Sequence, residues 1–499
     1  GLASASVTGE TAGDAMKGRN LRAAIHVSAV FATWLAVLML VPALADLYYG
    51  NPDWIVFTIS SAVIAALAVI VAAATRGIRP AYSTRFAFLQ VNLLWLTFAI
   101  AGAVPFVESS LKLSLADAFF ESMSGITTTG STVISGLDHL PPGLLLWRSI
   151  LQWVGGLGVI VLGMFILPYL KIGGSSVFKL ESSDRYDRPF SRLSTFATSI
   201  IGIYLTSTFI CAVLYAMTGM TGFDAVNHAM TTVSTGGYST HDASFAYFRN
   251  PATHWVAICF MLIGATPFTA LVVLMLRGRF DTFYDNQVIV MLGYSLGLSA
   301  LVAIYLDITH AEDLALGIEH AVFNIVSLIT TTGYANYDYL QWGPFAISLV
   351  FMATFLGGCS GSTAGGVKAY RWIALYGIMR RALDRFVYPH SVASIHSGRG
   401  TVDEETLGIV LLFFTAFMLL WALLTVALSL TGTDFITSMS GILTALANVG
   451  PGIGDVIGPT GNFAPLPDSA KWILSFAMLL GRLEYFTILV LLDPYFWRK

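Results

Sequence analysis

Four short stretches rich in threonine, serine and glycine carry the residues best suited to bind a cation. They read TTTGSTV at 127–133, STGGYS at 234–239, TTTGYAN at 330–336 and ANVGPGIG at 447–454. Backbone carbonyls that face a common axis can replace the water shell of an ion. Such an arrangement needs residues with positive φ, which glycine adopts without a Cβ clash. The stretches are therefore predicted to coordinate a cation through backbone carbonyls.

Each stretch follows a partly apolar segment that is too short to span a membrane. These segments are predicted to form half-helices at 113–126, 222–233, 316–329 and 434–446. The C-terminal end of a helix is partly negative, so half-helices that point these ends at one centre stabilise a cation there. Irregular backbone at membrane depth is tolerated only inside protein or beside water. The pattern is typical of re-entrant pore loops.

The four units recur at intervals of about 100 residues, an internal repeat that indicates duplication. Their central glycines are Gly130, Gly236, Gly333 and Gly450. An acid lies near the start of each half-helix, where it is expected to stabilise the helix N-terminus rather than bind an ion. These acids are Asp117, Asp224, Glu319 and Asp434.

Two further features stand apart from the composition of a lipid-facing helix. Arg482 lies roughly 16 Å into the last apolar segment at 1.5 Å per residue, and a charge at that depth is usually functional. The glycine-rich segment GGCSGSTAGG at 357–366 interrupts the apolar run 345–379, which favours two half-helices joined by irregular backbone. Its hydroxyls are predicted to hydrogen-bond the Arg482 guanidinium. They belong to Ser360, Ser362 and Thr363.

The remainder of the chain must supply the helices that position these features. Of 499 residues, 56% are hydrophobic and 11% charged, whereas soluble proteins carry about 25% charged residues. Nine segments are apolar and long enough to span a bilayer. They occupy 21–44, 54–74, 86–106, 144–170, 193–217, 254–276, 288–306, 407–430 and 472–492. The sequence therefore predicts an all-α polytopic membrane protein and excludes a soluble enzyme.

Other classes of function have little support. The three cysteines lie in apolar segments without metal-binding spacing. The sequence contains no convincing catalytic constellation and no complete nucleotide-binding motif, so neither a membrane enzyme nor a nucleotide site is expected. A net charge of -3 without basic runs gives no support to nucleic-acid binding.

The basic residues predict the orientation in the membrane. With ten spans, 21 of the 26 lysine and arginine residues fall on the side that holds both termini. By the positive-inside rule, that side is cytoplasmic. The small, polar residues 1–15 are expected to be a cloning remnant or a disordered tail.

The motifs resemble those of the Trk/Ktr/HKT superfamily of potassium transporters, especially its bacterial TrkH type, which has two additional N-terminal spans. The resemblance rests on the four glycine turns, on QWVGGLGVIVL at 152–162 and on GGCSGSTAGGVK at 357–368. It implies four pseudo-repeats of helix, pore half-helix, filter and helix around one pore. It also implies potassium uptake, contact with membrane lipids, a homodimer in the bacterial inner membrane, and a cytoplasmic, TrkA-like ring of nucleotide-binding regulatory subunits.

The resemblance also implies roles for individual residues. Potassium would be coordinated by the backbone carbonyls of Thr128, Thr129, Ser234, Thr235, Thr331, Thr332, Asn448 and Val449. The glycine-rich segment would obstruct the cytoplasmic half of the pore beside Arg482. Its gate glycines are Gly357, Gly358, Gly361, Gly365 and Gly366. Gly130 resembles the potassium-selective pattern, because related sodium-passing transporters tend to carry serine there.

The predicted organisation has six segments. They are an N-terminal tail at 1–20, two additional spans at 21–80, pore repeat 1 at 81–185, pore repeat 2 at 186–285, pore repeat 3 with the gating segment at 286–400, and pore repeat 4 at 401–499. Two alternatives stay open: a sodium-permeable or ion-coupled symporter on the same fold, and a sensor with a vestigial pore. The scarcity of intramembrane acids argues against coupling, and four intact glycines argue against a vestigial pore.

Overall fold

The computed structural model describes residues 3–77, 83–165, 189–278, 285–309, 312–388, 396–397, 400–401 and 404–498. Within these ranges the regular structure is helical, apart from the antiparallel pair β1 (His396–Ser397) and β2 (Gly400–Thr401). The α-helices are α1 (Ala3–Leu38), α2 (Leu40–Tyr49), α3 (Trp54–Ala74), α4 (Thr84–Glu108), α5 (Leu115–Ile126), α6 (Pro142–Phe165), α7 (Pro189–Met217), α8 (Gly222–Val233), α9 (Pro251–Ala265), α10 (Phe268–Arg277), α11 (Asn286–Ile308), α12 (Leu314–Ile329), α13 (Pro344–Phe355), α14 (Ala369–Val387), α15 (Glu404–Ser429), α16 (Phe435–Ala447), α17 (Asp468–Arg482), α18 (Phe486–Leu492) and α19 (Pro494–Arg498).

The helices identify a multi-pass membrane protein. Seven of those described are long and apolar enough to cross a membrane, or nine spans result if each of two bent pairs counts as one. The pairs α9 with α10 and α17 with α18 bend by 99° and 114°, so the segments predicted as whole spans at 254–276 and 472–492 are each broken into two helices. Pro267, which lacks an N–H for a continuous helix, lies at the first break. Glu484 and Tyr485, with φ of 61° and 51°, form the second.

One compact unit comprises Gly1–Met123, Leu140–Trp147 and Leu483–Lys499. In it α1 packs on α3 and α4, and the residues predicted to be a tail are helical from Ala3 onward. Buried polar contacts join its segments. The Trp147 indole N–H donates to the Gly102 carbonyl at 3.0 Å, and the Asn92 amide donates to the Thr487 carbonyl at 3.1 Å.

The second unit comprises Ser124–His139 and Arg148–Arg482. It contains all four glycine turns, Arg482 and the irregular segment 356–368 between α13 and α14, which we call the break segment. A parallel bridge between Leu356 and Val367 closes the break segment on itself. The predicted interruption of the apolar run 345–379 is therefore confirmed.

The four predicted half-helices are confirmed as α5, α8, α12 and α16. Asp434 caps its half-helix, and Asp117 and Asp224 lie in first turns, as expected for stabilising N-terminal charges. Glu319 differs, because it lies in the second turn of α12. Its carboxylate is 2.5 Å from Nδ1 of His254 on α9 and joins two helices instead.

Candidate ion-binding site

The turns that follow the four half-helices share one backbone conformation. In each, a residue with positive φ is followed two positions later by a glycine with positive φ. The pairs are Thr128 (53°) and Gly130 (87°), Thr235 (50°) and Gly237 (83°), Thr331 (56°) and Gly333 (80°), and Asn448 (54°) and Gly450 (112°). The N–H of the first residue in each pair donates to the carbonyl three positions earlier, at 2.9, 3.0, 3.1 and 3.3 Å. Turns of three different sequences, TTTG, STGG and ANVG, thus share one backbone conformation.

This geometry corrects the second turn by one residue. The sequence pattern places Gly236 as its central glycine, but Gly237 has the positive φ and Gly236 does not. The two glycines are adjacent in STGGYS, so a repeat pattern cannot distinguish them. The two residues before the central glycine are therefore Thr235 and Gly236, and Ser234 lies one position earlier, directly after α8.

The central glycines pack against one another's turns in a closed order. A Cβ atom on each would collide with a carbonyl oxygen of the next turn along the chain. The distances would be 2.3 Å from Gly130 to the oxygen of Gly236, 1.8 Å from Gly237 to that of Thr332, 2.0 Å from Gly333 to that of Val449 and 2.8 Å from Gly450 to that of Thr129. The fourth turn returns to the first, so the four turns surround one axis. Any side chain at these positions would displace a carbonyl of the ring.

The residues predicted to bind potassium are buried in these turns, none more than 1% exposed. Pairs of threonine hydroxyls support two of the turns. The hydroxyls of Thr127 and Thr129 lie 2.8 Å apart, and those of Thr330 and Thr332 lie 2.9 Å apart. These bonds hold the residue before each central glycine.

Amide side chains support the other two turns. Gln152 of α6 donates to the Gly236 carbonyl at 2.6 Å and accepts from the Tyr238 N–H at 3.0 Å. Asn448 donates to the Thr129 hydroxyl at 3.0 Å and to the Met478 carbonyl at 2.9 Å. Sequence reasoning missed the role of Gln152, although a glutamine within a predicted span was the signal for it.

A second residue missed by sequence reasoning is Arg148, also on α6. It donates to the Ser239 carbonyl at 2.9 Å and to the Thr132 hydroxyl at 3.2 Å, and its guanidinium lies 4.1 Å from the centre of the Tyr238 ring. The arginine therefore ties together the chain segments that leave the first and second turns. Its position at the outer end of a predicted span gave no indication of this contact.

The break segment contacts the turns directly. The Thr235 hydroxyl donates to the Thr363 hydroxyl at 3.1 Å, and the Gly365 N–H donates to the Thr331 hydroxyl at 2.7 Å. A Cβ at Gly365 would lie 2.6 Å from the Ala447 carbonyl, at the end of the fourth half-helix. The glycine at 365 is therefore required for close approach to the fourth turn.

Arg482 binds the break segment through backbone. Its Nη1 donates to the Thr363 carbonyl at 3.0 Å, and its Nη2 donates to the Gly155 carbonyl at 3.3 Å. The predicted bonds to hydroxyls are wrong: among the described residues, the guanidinium donates to these two backbone carbonyls only. The hydroxyls of Thr363 and Ser362 donate to the carbonyls of Gly264 and Cys359. Arg482 is 6% exposed, and its Nε has no hydrogen-bond partner among the described residues.

The remaining gate glycines give the break segment its shape. Gly361 and Gly366 have positive φ of 77° and 72°. The Gly358 carbonyl accepts from the Ala369 N–H at 2.9 Å, at the start of α14. The Gly357 carbonyl accepts from the Tyr294 hydroxyl on α11. A further contact from α11 is Gln287, whose amide oxygen accepts from the Ser360 N–H at 3.0 Å.

Comparison with known proteins places this chain in a family. The family model of TrkH, described as a cation transport protein, matches residues 55–304 and 301–497. The Trk system potassium uptake protein TrkI of Halomonas elongata is 41% identical, covering 95% of this chain and 96% of that protein. The Trk system potassium uptake protein TrkH of Escherichia coli K12 is 36% identical, covering 96% of this chain and 100% of its own length.

A solved structure agrees with these relatives. The crystal structure of the potassium transporter TrkH from Vibrio parahaemolyticus matches with a TM-score of 0.88 and 34% identity, covering 95% of this chain and 99% of that chain. The fold is therefore TrkH-like, and the protein is a transport protein rather than an enzyme. The chain belongs to the TrkH family of cation transport proteins.

Proposed function

We propose that this protein takes up potassium ions across the cell membrane through one filter formed by the four glycine turns. The observation that carries the proposal is the closed order of the turns, in which each central glycine packs on a carbonyl of the next. The names of its relatives, which are potassium uptake proteins of the Trk system, support potassium as the transported ion.

The ion would be held by the carbonyls of the two residues before each central glycine. With the corrected second turn, these residues are Thr128, Thr129, Thr235, Gly236, Thr331, Thr332, Asn448 and Val449. The half-helices end at these turns, so their partly negative C-terminal ends add to the stabilisation of a cation. Four pseudo-repeats around one pore, with the first two spans outside them, are the organisation that this filter requires.

Arg482 and the break segment form the gate in this proposal. The guanidinium is buried and binds the Thr363 carbonyl, two residues before Gly365, which contacts the third turn. A fixed charge about 4 Å from the ion path would raise the energy of a passing cation by about 4 kcal/mol at an effective dielectric of 20. Movement of the break segment, which its glycines permit, would displace this charge and open the path.

The remaining parts of the proposal concern orientation and partners. Both termini would lie in the cytoplasm, on the side that holds most of the lysines and arginines. There a TrkA-like, nucleotide-binding ring would control the gate, and two copies of this chain would form a dimer. Membership of the Trk system supports further components, since the relatives are named as parts of a system.

Tracer uptake by purified protein in liposomes tests the proposal. We expect rubidium uptake that added potassium inhibits by competition. This uptake should require neither sodium nor a proton gradient. Uptake that stops without sodium or without a proton gradient would identify a coupled symporter instead. Empty liposomes give the background, and equal competition by sodium and potassium would contradict a potassium-selective filter.

A further inference from the structure

Gln152 holds the backbone of the second turn on both sides of Gly237. Its amide nitrogen donates to the carbonyl before Gly237, that of Gly236, at 2.6 Å. Its amide oxygen accepts from the N–H after Gly237, that of Tyr238, at 3.0 Å. Donor and acceptor are thus each matched to a backbone group. Gln152 is fully buried, so bulk solvent does not reach these bonds.

The second turn requires such a support because of its own sequence. The position of Gly236 is filled in the other turns by Thr129, Thr332 and Val449. These residues are β-branched, and their side chains restrict the backbone. A pair of adjacent glycines has no such restriction, so the peptide that joins Gly236 to Gly237 can rotate at low cost. Rotation would turn the Gly236 carbonyl away from the ring.

The position of Gln152 can be compared in three repeats, and one of the three carries an amide. Three helices that follow a filter turn each carry a glycine whose added Cβ would meet the carbonyl two residues before the first positive-φ residue of the preceding turn. The distances would be 2.0 Å from Gly155 to Ile126, 3.0 Å from Gly264 to Val233 and 2.2 Å from Gly481 to Leu446. Three positions before these glycines stand Gln152, Met261 and Met478. Methionine therefore fits this position elsewhere in the molecule, and glutamine stands where the next turn contains two glycines.

We infer that Gln152 is a positioning residue for ion selectivity: it fixes the Gly236 carbonyl in the ring of the four turns. The inference deepens the proposed function and rests on it, because it assumes that this ring selects the ion. Without Gln152, the carbonyls of the first, third and fourth turns would keep fixed orientations. The Gly236 carbonyl of the second turn would not. A ring with one rotating carbonyl discriminates less well between potassium and sodium.

The direct test is Gln152→Met, which keeps the length of the side chain and removes both hydrogen bonds. We expect the potassium-to-sodium permeability ratio in liposomes to fall about tenfold, the effect of one lost buried hydrogen bond. Gln90→Met is the matched control, because Gln90 is a buried glutamine that donates to the Ser28 hydroxyl in the other unit. The control should keep the parental ratio. An unchanged ratio in folded Gln152→Met would overturn the inference.

A second pair of variants tests whether the support itself, rather than packing, sets the ratio. Gln152→Gly removes the side chain and should lower the ratio. Adding Gly236→Thr should restore most of it, because the new hydroxyl can pair with Ser234 as Thr129 pairs with Thr127. The glycine at 152 also removes the Cβ that a side chain at 236 would meet at 2.9 Å. A ratio that stays low in the double variant would contradict the supporting role.

Failure of this inference can be distinguished from failure of the proposed filter. Gly333→Ser places a Cβ 2.0 Å from the Val449 carbonyl of the fourth turn, away from the Gly236 carbonyl that Gln152 holds. If Gly333→Ser lowers the permeability ratio and Gln152→Met does not, the filter stands and the role of Gln152 is wrong. If both leave the ratio unchanged, the four turns do not select the ion.

Discussion

The first and third turns and the second and fourth turns reach the same backbone by different means. The first and third have the same sequence, TTTG, and each is supported by a pair of threonine hydroxyls. The second is supported by the amide of Gln152 from a neighbouring repeat, and the fourth by its own Asn448. Yet all four have two positive φ angles at the same spacing.

This difference shows which features of the site are required and which can vary. The central glycine is required, because a carbonyl of the next turn occupies the place of its Cβ in every repeat. The residue before it is permitted to be threonine, glycine or valine, as long as its carbonyl is held. The site therefore requires a fixed direction of each ring carbonyl, and the surrounding side chains hold that direction.

The largest effect expected concerns the break segment, which contacts the second, third and fourth turns. Arg482→Ala removes the buried positive charge, and we expect potassium flux without any partner to rise by about a hundredfold, less than the bare Coulomb term because water screens it. The permeability ratio should stay at the parental value, since the turns are untouched. Rubidium uptake and the ratio are measured on the same liposomes. Unchanged flux in folded protein would place the gate elsewhere.

The next effect tests the corrected register of the second turn. Gly237→Ser combines strain at a φ of 83° with a Cβ 1.8 Å from the Thr332 carbonyl. We expect it to lower the permeability ratio by about ten- to a hundredfold. Gly219→Ser is the control for backbone strain alone, because Gly219 has a φ of 105° and its Cβ would meet nothing within 4 Å. Gly236→Ser should lower the ratio less than Gly237→Ser, because its Cβ would displace the Gln152 side chain rather than a ring carbonyl. If Gly236→Ser lowers the ratio more than Gly237→Ser, the sequence-based register is right and the geometric one is wrong.

A smaller effect is expected from substitutions in the two pairs of threonine hydroxyls. Thr332→Val removes one hydroxyl and places at 332 the residue type that the fourth turn carries at 449. We expect the permeability ratio to fall by about threefold or less. Thr129→Val should have a larger effect, because the Thr129 hydroxyl also accepts from Asn448. Equal effects of the two substitutions would argue that the Asn448 contact does not support the first turn.

The smallest effect concerns the chain segments that follow the first and second turns, which contain Asp138 and His241. Burial disfavours the charged form of His241, but its contacts with Asp224 and Asp138 outweigh this and raise its pKa above 6.5. The stabilisation is therefore complete below pH 6.5 and is lost as the pH rises through the raised pKa. His241→Gln should lower the midpoint of thermal unfolding by about 1–2 °C at pH 6. A difference from the parent that grows toward pH 9 would contradict this assignment.

Much of the fold was predictable from the sequence, because hydrophobic length and the spacing of glycines are local signals. The half-helices and the break segment were found in this way. The bends in α9–α10 and α17–α18 were not. Pro267 lies at the first bend and Glu484 at the second, but neither residue type by itself predicts that an apolar run will break.

The site was predictable in kind and less so in detail. The turns and Arg482 were found because glycine repeats and a buried charge are visible in sequence. The choice between Gly236 and Gly237 depends on φ, and the role of Gln152 depends on a contact 84 positions away. Arg482 binds backbone carbonyls, which every residue possesses, so no side-chain pattern could reveal its partners.

The most direct test of the central claim is the location of a bound potassium analogue. Crystals of the protein grown with thallium, which replaces potassium and scatters anomalously, should show density on the axis of the four turns. We expect peaks surrounded by the carbonyls of Thr128, Thr235, Thr331 and Asn448, and weaker peaks when potassium competes. Thallium density away from this axis, or density there that sodium displaces as well as potassium does, would contradict the account.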